Sequence, residues 1–563
     1  MPDDNRPEME RIKQDSNYLR GTIKEELASG STHFVKDTSQ LLKSHGTYQQ
    51  DDRDVRNQRR KMGQEPYYIM MVRTKLPGGK MTAQQYLALD ELAERYGNHS
   101  LRITTRQGFQ FHGVLKQNLK ATIRSINEKL VTTLGACGDN VRNVLGCPAP
   151  SYERTKLKIY EYAKSVSDQF LSKSGTYHEI WLNGEKVEDL SKKKPEEVEP
   201  IYGRAYLPRK FKIAIAFPED NCVDVYTNDI GIVPEVLNGE HKGFNILVGG
   251  GLGMSHSAKD TFPRLADPFC FVRPDELLGI TKAIVLVQRD FGDRKSRKHA
   301  RMKYLIHDRG LEWFRGEVEK RFGKKLESVH EIQWKGFEDH LGWHEQGDGL
   351  WYYGVSIENG RIKDEGILRL KTGLREAVKK FQTPVYLTPT QDFLISNLRQ
   401  QDKKPLEDLL TSHGIKFPER LSMIQRNSMA CPALPTCGLA ITDAERSLPR
   451  LVDELEIALN ELGLSSEQIT LRMTGCPNGC ARPYSSEVGI VGKAVGTYNI
   501  YLGGNLDGTR LNELYVENMK EEEVAKTLIS IFKLFKLKRN SGEQFGNFCH
   551  RIGIGRLHES LKN

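Results

Sequence analysis

The sequence predicts a mixed α/β (α+β) protein built by internal duplication. Three observations carry this reading: two collinear sets of matches, a strand–helix–strand pattern in both halves, and a four-cysteine set kept by one copy. RNVLGCPA (142–149) overlays RNSMACPA (426–433) at an offset of 284 residues. At the same offset Thr104, Gln107 and Phe109 fall on Thr388, Gln391 and Phe393. GFNILVGGG (243–251) parallels TYNIYLGGN (497–505) at 254, and NDIGIV (228–233) parallels SEVGIV (486–491) at 258. Matches that stay collinear while the offset shrinks point to a duplicated unit whose second copy has lost residues.

The elements follow in order. Residues 1–60, charged and weakly periodic, predict an arm with a frayed start that wraps a partner or the body. A half-domain over 61–140 opens with the apolar strand YYIMMVRTKLP (67–77) and a Gly-Gly turn. The helix TAQQYLALDELAERYG follows, with Tyr86, Leu87, Leu89, Leu92 and Ala93 apolar and Gly97 as its stop. LRITTRQGFQFHGVL (101–115) then alternates as a strand pair around Gly108. Residues 336–420 repeat the unit, from GLWYYGVSIENG through LKTGLREAVKKF to VYLTPTQDFLIS. Two such halves pair into one composite domain, leaving α/β units at 141–335 and 421–563. In the last unit SLPRLVDELEIALNELG is a helix with a Leu448, Leu451, Leu455, Leu459 and Leu462 stripe.

The 563 residues are 38% hydrophobic and 28% charged, the balance of a soluble globular chain with several domains. No apolar run is long enough to span a bilayer, and the N-terminus lacks a secretory signal, so a cytoplasmic protein without membrane contact is expected. Nine cysteines, odd in number and unevenly placed, make no disulfide framework. Cys137, Cys222, Cys270 and Cys549 are expected to be ordinary buried thiols. The net charge of +9 is mostly intermixed with acids, as in DDRDVRNQRRK (51–61) and LSKKKPEEVEP (190–200). These runs predict a solvated mixed surface and argue against a nucleic-acid partner.

Chemistry concentrates in CPALPTC and TGCPNGC. Cys431 and Cys437 form a C-x5-C pair, and Cys476 and Cys480 a C-x3-C pair after a 38-residue gap. Four converging thiolates suit an iron–sulfur cluster, and Pro477, Asn478 and Gly479 supply a tight turn. The 447–463 helix separates the pairs and the strand ITLRMTG delivers the second. Zinc is the rival ligand, but its knuckles favour C-x2-C or C-x4-C. A zinc-stabilised nucleic-acid binder would be colourless.

The first copy keeps fewer ligands. Cys147 is the counterpart of Cys431, whereas Glu153 stands for Cys437. Around TGCPNGC no identity is evident, and counting between anchors places YLPRKFKIAIAF (206–217) there, with Lys212 near the place of Cys476. Cys147, without nearby partners, is expected to be structural. Lys210 and Lys212 share one face of an expected strand, with Ile213, Ile215 and Phe217 on the other. With Arg142 they make either a lysine-guarded strand edge or an anion pocket facing the cluster across a pseudo-twofold axis. GGGLG (249–253) lacks the dinucleotide spacing and is expected to be a structural turn, twinned by GGNLDG (503–508). No P-loop or flavin fingerprint is present, so electrons must come from a partner.

SNYLRGTI (16–23), YQQDDRD (48–54), LPGG (76–79), TRQGFQFHG (105–113), YLPRKFK (206–212), GFNILVGGGL (243–252), RNSMACPALPTC and TGCPNGC complete a whole-chain pattern. It resembles the assimilatory sulfite reductase hemoproteins of the sulfite/nitrite reductase superfamily. The one visible departure, GCPAPS after Arg142, leaves the ligand set intact. The resemblance implies two ferredoxin-like halves forming one domain, with two further α/β domains around a pseudo-twofold axis. It implies a [4Fe–4S] cluster on the four cysteines, with Cys480 also the axial ligand of siroheme, whose eight carboxylates call for basic neighbours. It further implies that Arg73, Arg142, Lys210 and Lys212 bind sulfite and that Arg106, Gln110 and His112 contact siroheme. The implied reaction is six-electron reduction of sulfite to sulfide in sulfate assimilation and cysteine biosynthesis. The implied electron donor is a flavoprotein alpha component carrying FAD and FMN and fed by NADPH. A siroheme nitrite reductase and a ferredoxin-dependent sulfite reductase are the competing readings.

Overall fold

The computed structural model describes residues 6–150, 154–185 and 190–560. Residues 1–5, at the start of the arm, and Glu153, the counterpart of Cys437, lie outside the described residues. The first sheet holds β1 (Thr47–Asp51), β2 (Tyr68–Arg73), β4 (Leu101–Ile103) and β5 (Phe109–Val114) in the order β1-β2-β5-β4. The second holds β10 (Gly342–Glu345), β11 (Trp351–Val355), β15 (Val385–Leu387) and β16 (Phe393–Leu398) in the order β10-β11-β16-β15. Each sheet ends on a strand lent by the other copy. β12 (Arg361–Ile362) pairs with β4, and β3 (Lys80–Met81) pairs with β15. A small ribbon, β13 (Asp364–Glu365) and β14 (Leu368–Arg369), lies outside both sheets.

The register repeats residue for residue. Leu101, Arg102 and Ile103 face Phe111, Gln110 and Phe109, while Val385, Tyr386 and Leu387 face Ile395, Leu394 and Phe393. Gln107 and Gln391, both at positive φ, reach across the junction: Gln107 donates to the Leu387 carbonyl and Gln391 to that of Ile103. Gly79 (φ +74°) and Gly360 (φ +73°) press on the same two carbonyls, where an added Cβ would lie 2.4 Å from each oxygen. Two copies are thus joined by a reciprocal handshake. The Gln107 backbone, not Gly108, makes the left-handed turn between β4 and β5.

The other two sheets repeat as well. One contains β6 (Ile213–Ile215), β7 (Ile230–Leu237), β8 (Glu240–Val248) and β9 (Asp267–Val272) in that order. The other contains β17 (Ser428–Ala430), β18 (Leu471–Thr474), β19 (Val488–Ala494), β20 (Thr497–Leu502) and β21 (Glu513–Lys520). The parallel pairs β6–β7 and β18–β19 superimpose at an offset of 258, Ile213↔Ile230 onto Leu471↔Val488.

This register corrects two expectations. Lys212 corresponds to Thr470, not to the neighbourhood of Cys476, and Cys222 is the counterpart of Cys480. Nor do Lys210 and Lys212 sit in a strand. They lie in the extended segment before β6, where the Arg142 amide bonds the Phe211 carbonyl at 2.8 Å. The arm packs on the body, one of the two expected alternatives: Thr47–Asp51 forms the edge of the first sheet against Tyr68–Val72. Its buried Lys13 pairs with Glu10 at 2.6 Å and lies 3.6 Å from Asp139.

One apolar core runs under both half-domains and the first α/β unit, and a second underlies the last unit. The expected helices form at Ala83–Tyr96, capped by Thr82 and Gln85, and at Leu448–Glu461, burying Leu448, Leu451, Leu455 and Leu459. No helix among the described residues is long and apolar enough to cross a membrane.

Candidate active site

The four cysteines leave the ends of two adjacent parallel strands. β17 runs into Cys431, whose amide bonds the Met473 carbonyl at 3.1 Å, and β18 runs through Gly475 into Cys476. Gly475 has no room for a side chain: a Cβ would meet the Thr442 carbonyl at 2.4 Å. Its amide donates to the Cys431 sulfur at 3.4 Å, and Asn478 Nδ2 donates to that of Cys476 at 3.4 Å. Gly479 takes positive φ in the turn to Cys480. Burial, then the Cys480 thiolate, pushes the Cys431 and Cys437 thiols up and that of Cys476 to about 11. Cys480 acts on all three thiols, and a positively charged metal centre would favour their ionised form.

Cys480 differs from the other three. It is exposed, whereas Cys431 and Cys476 are buried and Cys437 half-buried. Its carbonyl accepts from Thr105 Oγ1 at 3.0 Å, docking Cys480 on the turn between β4 and β5. The face of the first sheet beside that turn is polar. Arg73 sits opposite Gln110, Gln110 opposite Arg102, and Arg102 opposite Arg361. His112 follows two residues after Gln110 on the same face. Burial, then Arg361, Arg102 and Arg73, keeps its imidazole neutral by lowering its pKa far below the ordinary value.

Further cations come from the first α/β unit. Arg142 spends Nε on the Gly138 carbonyl at 2.9 Å and Nη1 on that of Ala136 at 3.4 Å. Burial, with Arg209 next, brings Lys210 down to about 7 against the opposing pull of Cys480. Burial, then Lys210 and Arg106, holds Lys212 well below the usual lysine range. Both lysines keep some surface open although protein surrounds them, as expected of groups lining an internal recess. For Arg73, burial alone would lower the pKa, but Cys137, Tyr48 and Cys480 together raise it and keep the charge. Burial, then Arg142, brings Arg106 to about 9; its Nη1 donates to Asn228 Oδ1 and its Nη2 to the Asn143 and Ile213 carbonyls. Arg106 therefore also ties the first half-domain to the α/β unit.

The residues brought together fit an anionic, carboxylate-bearing macrocycle. Arg73 Nε, Arg106 Nε, Lys75 Nζ, Gln110 Oε1 and both ring nitrogens of His112 are buried without a protein partner. Buried polar atoms in such number, donors of three cations among them, call for a polar ligand.

Sequence reasoning missed several contributors. Lys75, inside the segment YYIMMVRTKLP, is buried and lowered to about 8 by that burial. Arg53, placed in a solvated run, donates to the Cys437 carbonyl at 3.3 Å and to that of Ala440, gripping the first cysteine loop. Arg102 holds the Ala430 carbonyl at 2.8 Å and Glu445 at 3.0 Å. Arg301 binds the buried Asp229, whose Oδ2 also accepts from the Lys212 amide at 2.8 Å. Only Arg102, on an alternating strand face, carried a readable signal; Arg53 and Arg301 sit in ordinary charged runs. GGGLG is indeed a structural turn: Gly250 and its twin Gly504 leave no space for a Cβ against the Tyr226 and Ser486 carbonyls. The Met254 amide beyond it bonds the Pro477 carbonyl at 3.0 Å, so this turn braces the second cysteine pair.

Comparison with known proteins agrees with this geometry. The nitrite and sulphite reductase 4Fe-4S domain matches residues 161–326 and 424–563, and the nitrite/sulfite reductase ferredoxin-like half domain matches 62–129 and 344–413. The hemoprotein beta-component of NADPH sulfite reductase from Geobacillus kaustophilus is 47% identical over 98% of this chain and 96% of its own. The ferredoxin sulfite reductase of Synechococcus elongatus is 46% identical over 98% of this chain and 90% of its own. The structure of Mycobacterium tuberculosis NirA matches with a TM-score of 0.79 over 98% of this chain and 97% of that one, at 23% identity, so it speaks for the fold. Doubled half-domains, doubled α/β units and one surviving four-cysteine set make this chain a member of the nitrite and sulphite reductase family.

Proposed function

We propose that this chain is a sulfite reductase hemoprotein that reduces sulfite to sulfide by six electrons. The observation that carries the reading is Cys480, the exposed cysteine of the four, opening toward buried cations that keep unspent donors. In this reading Cys431, Cys437, Cys476 and Cys480 would hold a [4Fe–4S] cluster, and Cys480 would also hold the siroheme. Arg106, Gln110 and His112 contact the macrocycle. Bound together, these groups supply an iron site for the sulfur of sulfite and a path for its electrons.

The chain's own residues do the rest. Arg73 and Arg142 keep fixed positive charge and cradle an oxyanion. Lys210 and Lys212, whose protons are loosened by burial and like charge, bind the anion and hand protons to oxygens leaving as water. Walls of buried side chains keep competing solvent out. The division into an arm, two half-domains and two α/β units at 60/61, 140/141, 335/336 and 420/421 belongs to this reading, as does a cytoplasmic location.

The electron donor in this reading is an NADPH-fed flavoprotein. Relatives of nearly equal identity are named for NADPH and for ferredoxin, so reconstitution with each donor decides. The test of the function is sulfide formation by the purified, coloured protein with a neutral dye donor, comparing kcat/KM for sulfite and nitrite. A protein without porphyrinoid absorption after expression with ample siroheme, or one that prefers nitrite, overturns the reading.

A further inference from the structure

The first copy retains a second, separate ligand group. Cys147 and Cys222, the register counterparts of Cys431 and Cys480, meet Asp220 and His340, and the four ligand atoms lie within 4.8 Å of one another. Asp220 Oδ2 lies at their centre, 3.2 Å from Cys147 Sγ, 3.3 Å from Cys222 Sγ and 2.9 Å from His340 Nε2. Cys222, Asp220 and His340 are buried and Cys147 is half-buried. The expectation that Cys147 lacks partners and that Cys222 is an ordinary thiol therefore fails.

We propose that Cys147, Asp220, Cys222 and His340 form a mononuclear zinc site, in the position that the duplication assigns to a second cluster. Two sulfurs, one imidazole and one carboxylate are a tetrahedral zinc set. Bonds of about 2.0–2.3 Å put such ligand atoms about 3.3–3.8 Å apart, a few tenths of an ångström beyond the present separations from Asp220. The outer partners are in place. Asp220 Oδ1 accepts from the Cys222 amide at 3.0 Å and the Glu338 amide at 3.1 Å, leaving Oδ2 for the ion. His340 Nδ1 lies 3.5 Å from the Tyr352 hydroxyl and 3.8 Å from a Glu338 carboxylate oxygen, which fixes Nε2 as the ligand nitrogen. On binding, both thiols and His340 Nε2, which now donates to Asp220, release their protons to solvent, and each sulfur and that nitrogen gives one lone pair to the ion; nothing is oxidised or reduced.

The counterpart of the anion pocket is also neutralised on this side. Arg426, twin of Arg142, is committed to Asp339 through two hydrogen bonds of 2.8 and 2.9 Å. Gly354 stands where the first copy has Arg73. Of the cations that face the four-cysteine set, the counterpart of Arg142 is thus paired and that of Arg73 replaced by glycine, so a bare ion suits the site.

The test is elemental analysis of the intact holoprotein after zinc exposure and dialysis against a chelator. About one zinc per chain is expected beside the iron, and Cys222→Ser and His340→Gln should lose it with iron content unchanged. Zinc absent from the wild type, or retained equally by both variants, overturns the proposal. Should the variants fail to fold, zinc-edge X-ray absorption of the wild type decides: two sulfur and two lighter scatterers support the site, and an all-oxygen/nitrogen shell overturns it. A Cys147–Cys222 disulfide in protein prepared without oxidant also overturns it. Zinc here without siroheme would sink the functional reading and leave this one standing.

Discussion

Replacing Lys212 by methionine separates proton delivery from anion binding. The side chain is walled in beside Lys210 and Arg106, both of which lower its pKa. Methionine keeps the length of the stem and removes the proton. A general acid contributes about 100- to 10,000-fold to a rate, so kcat for sulfite should fall by about 100-fold or more. Affinity should change far less, because Arg73, Arg142 and Lys210 remain. Loss of one charge-assisted hydrogen bond would cost about 1.5–3 kcal/mol if nothing compensated. Here Lys210 compensates. Lys210 lowers the pKa of Lys212 by repulsion, and that repulsion is mutual, so removing Lys212 favours the charged form of Lys210, which burial and then Arg209 bring to about 7. The net change in sulfite affinity should stay within about tenfold. The assay is dye-driven sulfide formation across pH, with sulfite binding followed optically. The alkaline limb of the variant's pH profile should also move to higher pH. A variant whose affinity falls more than a hundredfold while kcat is kept would refute the assignment.

Three further outcomes follow from buried groups elsewhere. Glu445→Gln should cost about 3–5 kcal/mol and release iron, because it leaves buried Arg102 and its neighbour Arg361 without their shared carboxylate, at 3.0 and 2.7 Å; urea unfolding and iron content check this. Gly79→Ala and Gly360→Ala should destabilise by similar amounts, about 1–3 kcal/mol each, since both sit at positive φ with the same 2.4 Å clash; unequal midpoint shifts would argue against a symmetric junction. His45 is fully buried and neutral, accepting from Trp181 Nε1 at 2.9 Å and donating to the Leu19 carbonyl at 3.0 Å, and burial lowers its pKa from 6.5 to about 4. The unfolded chain binds the proton more readily, so this contribution is complete above pH 6.5 and is lost as pH falls toward 4. It amounts to about 3 kcal/mol, and His45→Gln should flatten that part of the acid-unfolding curve.

The fold was largely legible because duplication prints itself twice. Alternation over 101–115 and again over 385–396 marked the paired strands, and the 284 offset carried the register between them. The cysteine pairs were legible because cluster ligands must be cysteines. Cations were less so. Arg73, Arg142, Lys210 and Lys212 stand out beside apolar or quoted motifs, but Arg53 and Arg301 become site residues only through carbonyl and carboxylate partners far away in sequence. The counterpart of Cys480 was missed for a related reason. Between AFPEDNCVDVY and TGCPNGCARPY almost nothing but the cysteine and a tyrosine agrees, and only the strand register fixes the alignment.

The register also explains why one copy works and the other does not. Across the axis, Asp224 and Arg482 are twins, both at positive φ, and they meet as an ion pair of 2.5 Å. One position has thus taken opposite charges in the two copies. The same divergence runs through the site: Arg73, Arg102, Arg106, Gln110 and His112 in the first copy answer to Gly354, Tyr386, Thr390, Leu394 and Ser396 in the second. A symmetric ancestor would need, at each site, ligand cysteines from one copy and cations from the other. Keeping the cysteines in the second copy and the cations in the first leaves one complete site, because the two contributions meet across the junction only once. Reversing the charges of the Asp224–Arg482 pair by Asp224→Arg with Arg482→Asp tests how far that divergence is local. Arg472 also binds Asp224, at 2.6 Å, so the swap would put a like charge in place of that carboxylate. The double variant should stay destabilised by about 3 kcal/mol or more, and only the further change Arg472→Met should recover it. Full recovery by the double swap alone would mean that the pair is an isolated contact and not part of a charge pattern fixed on one side of the axis.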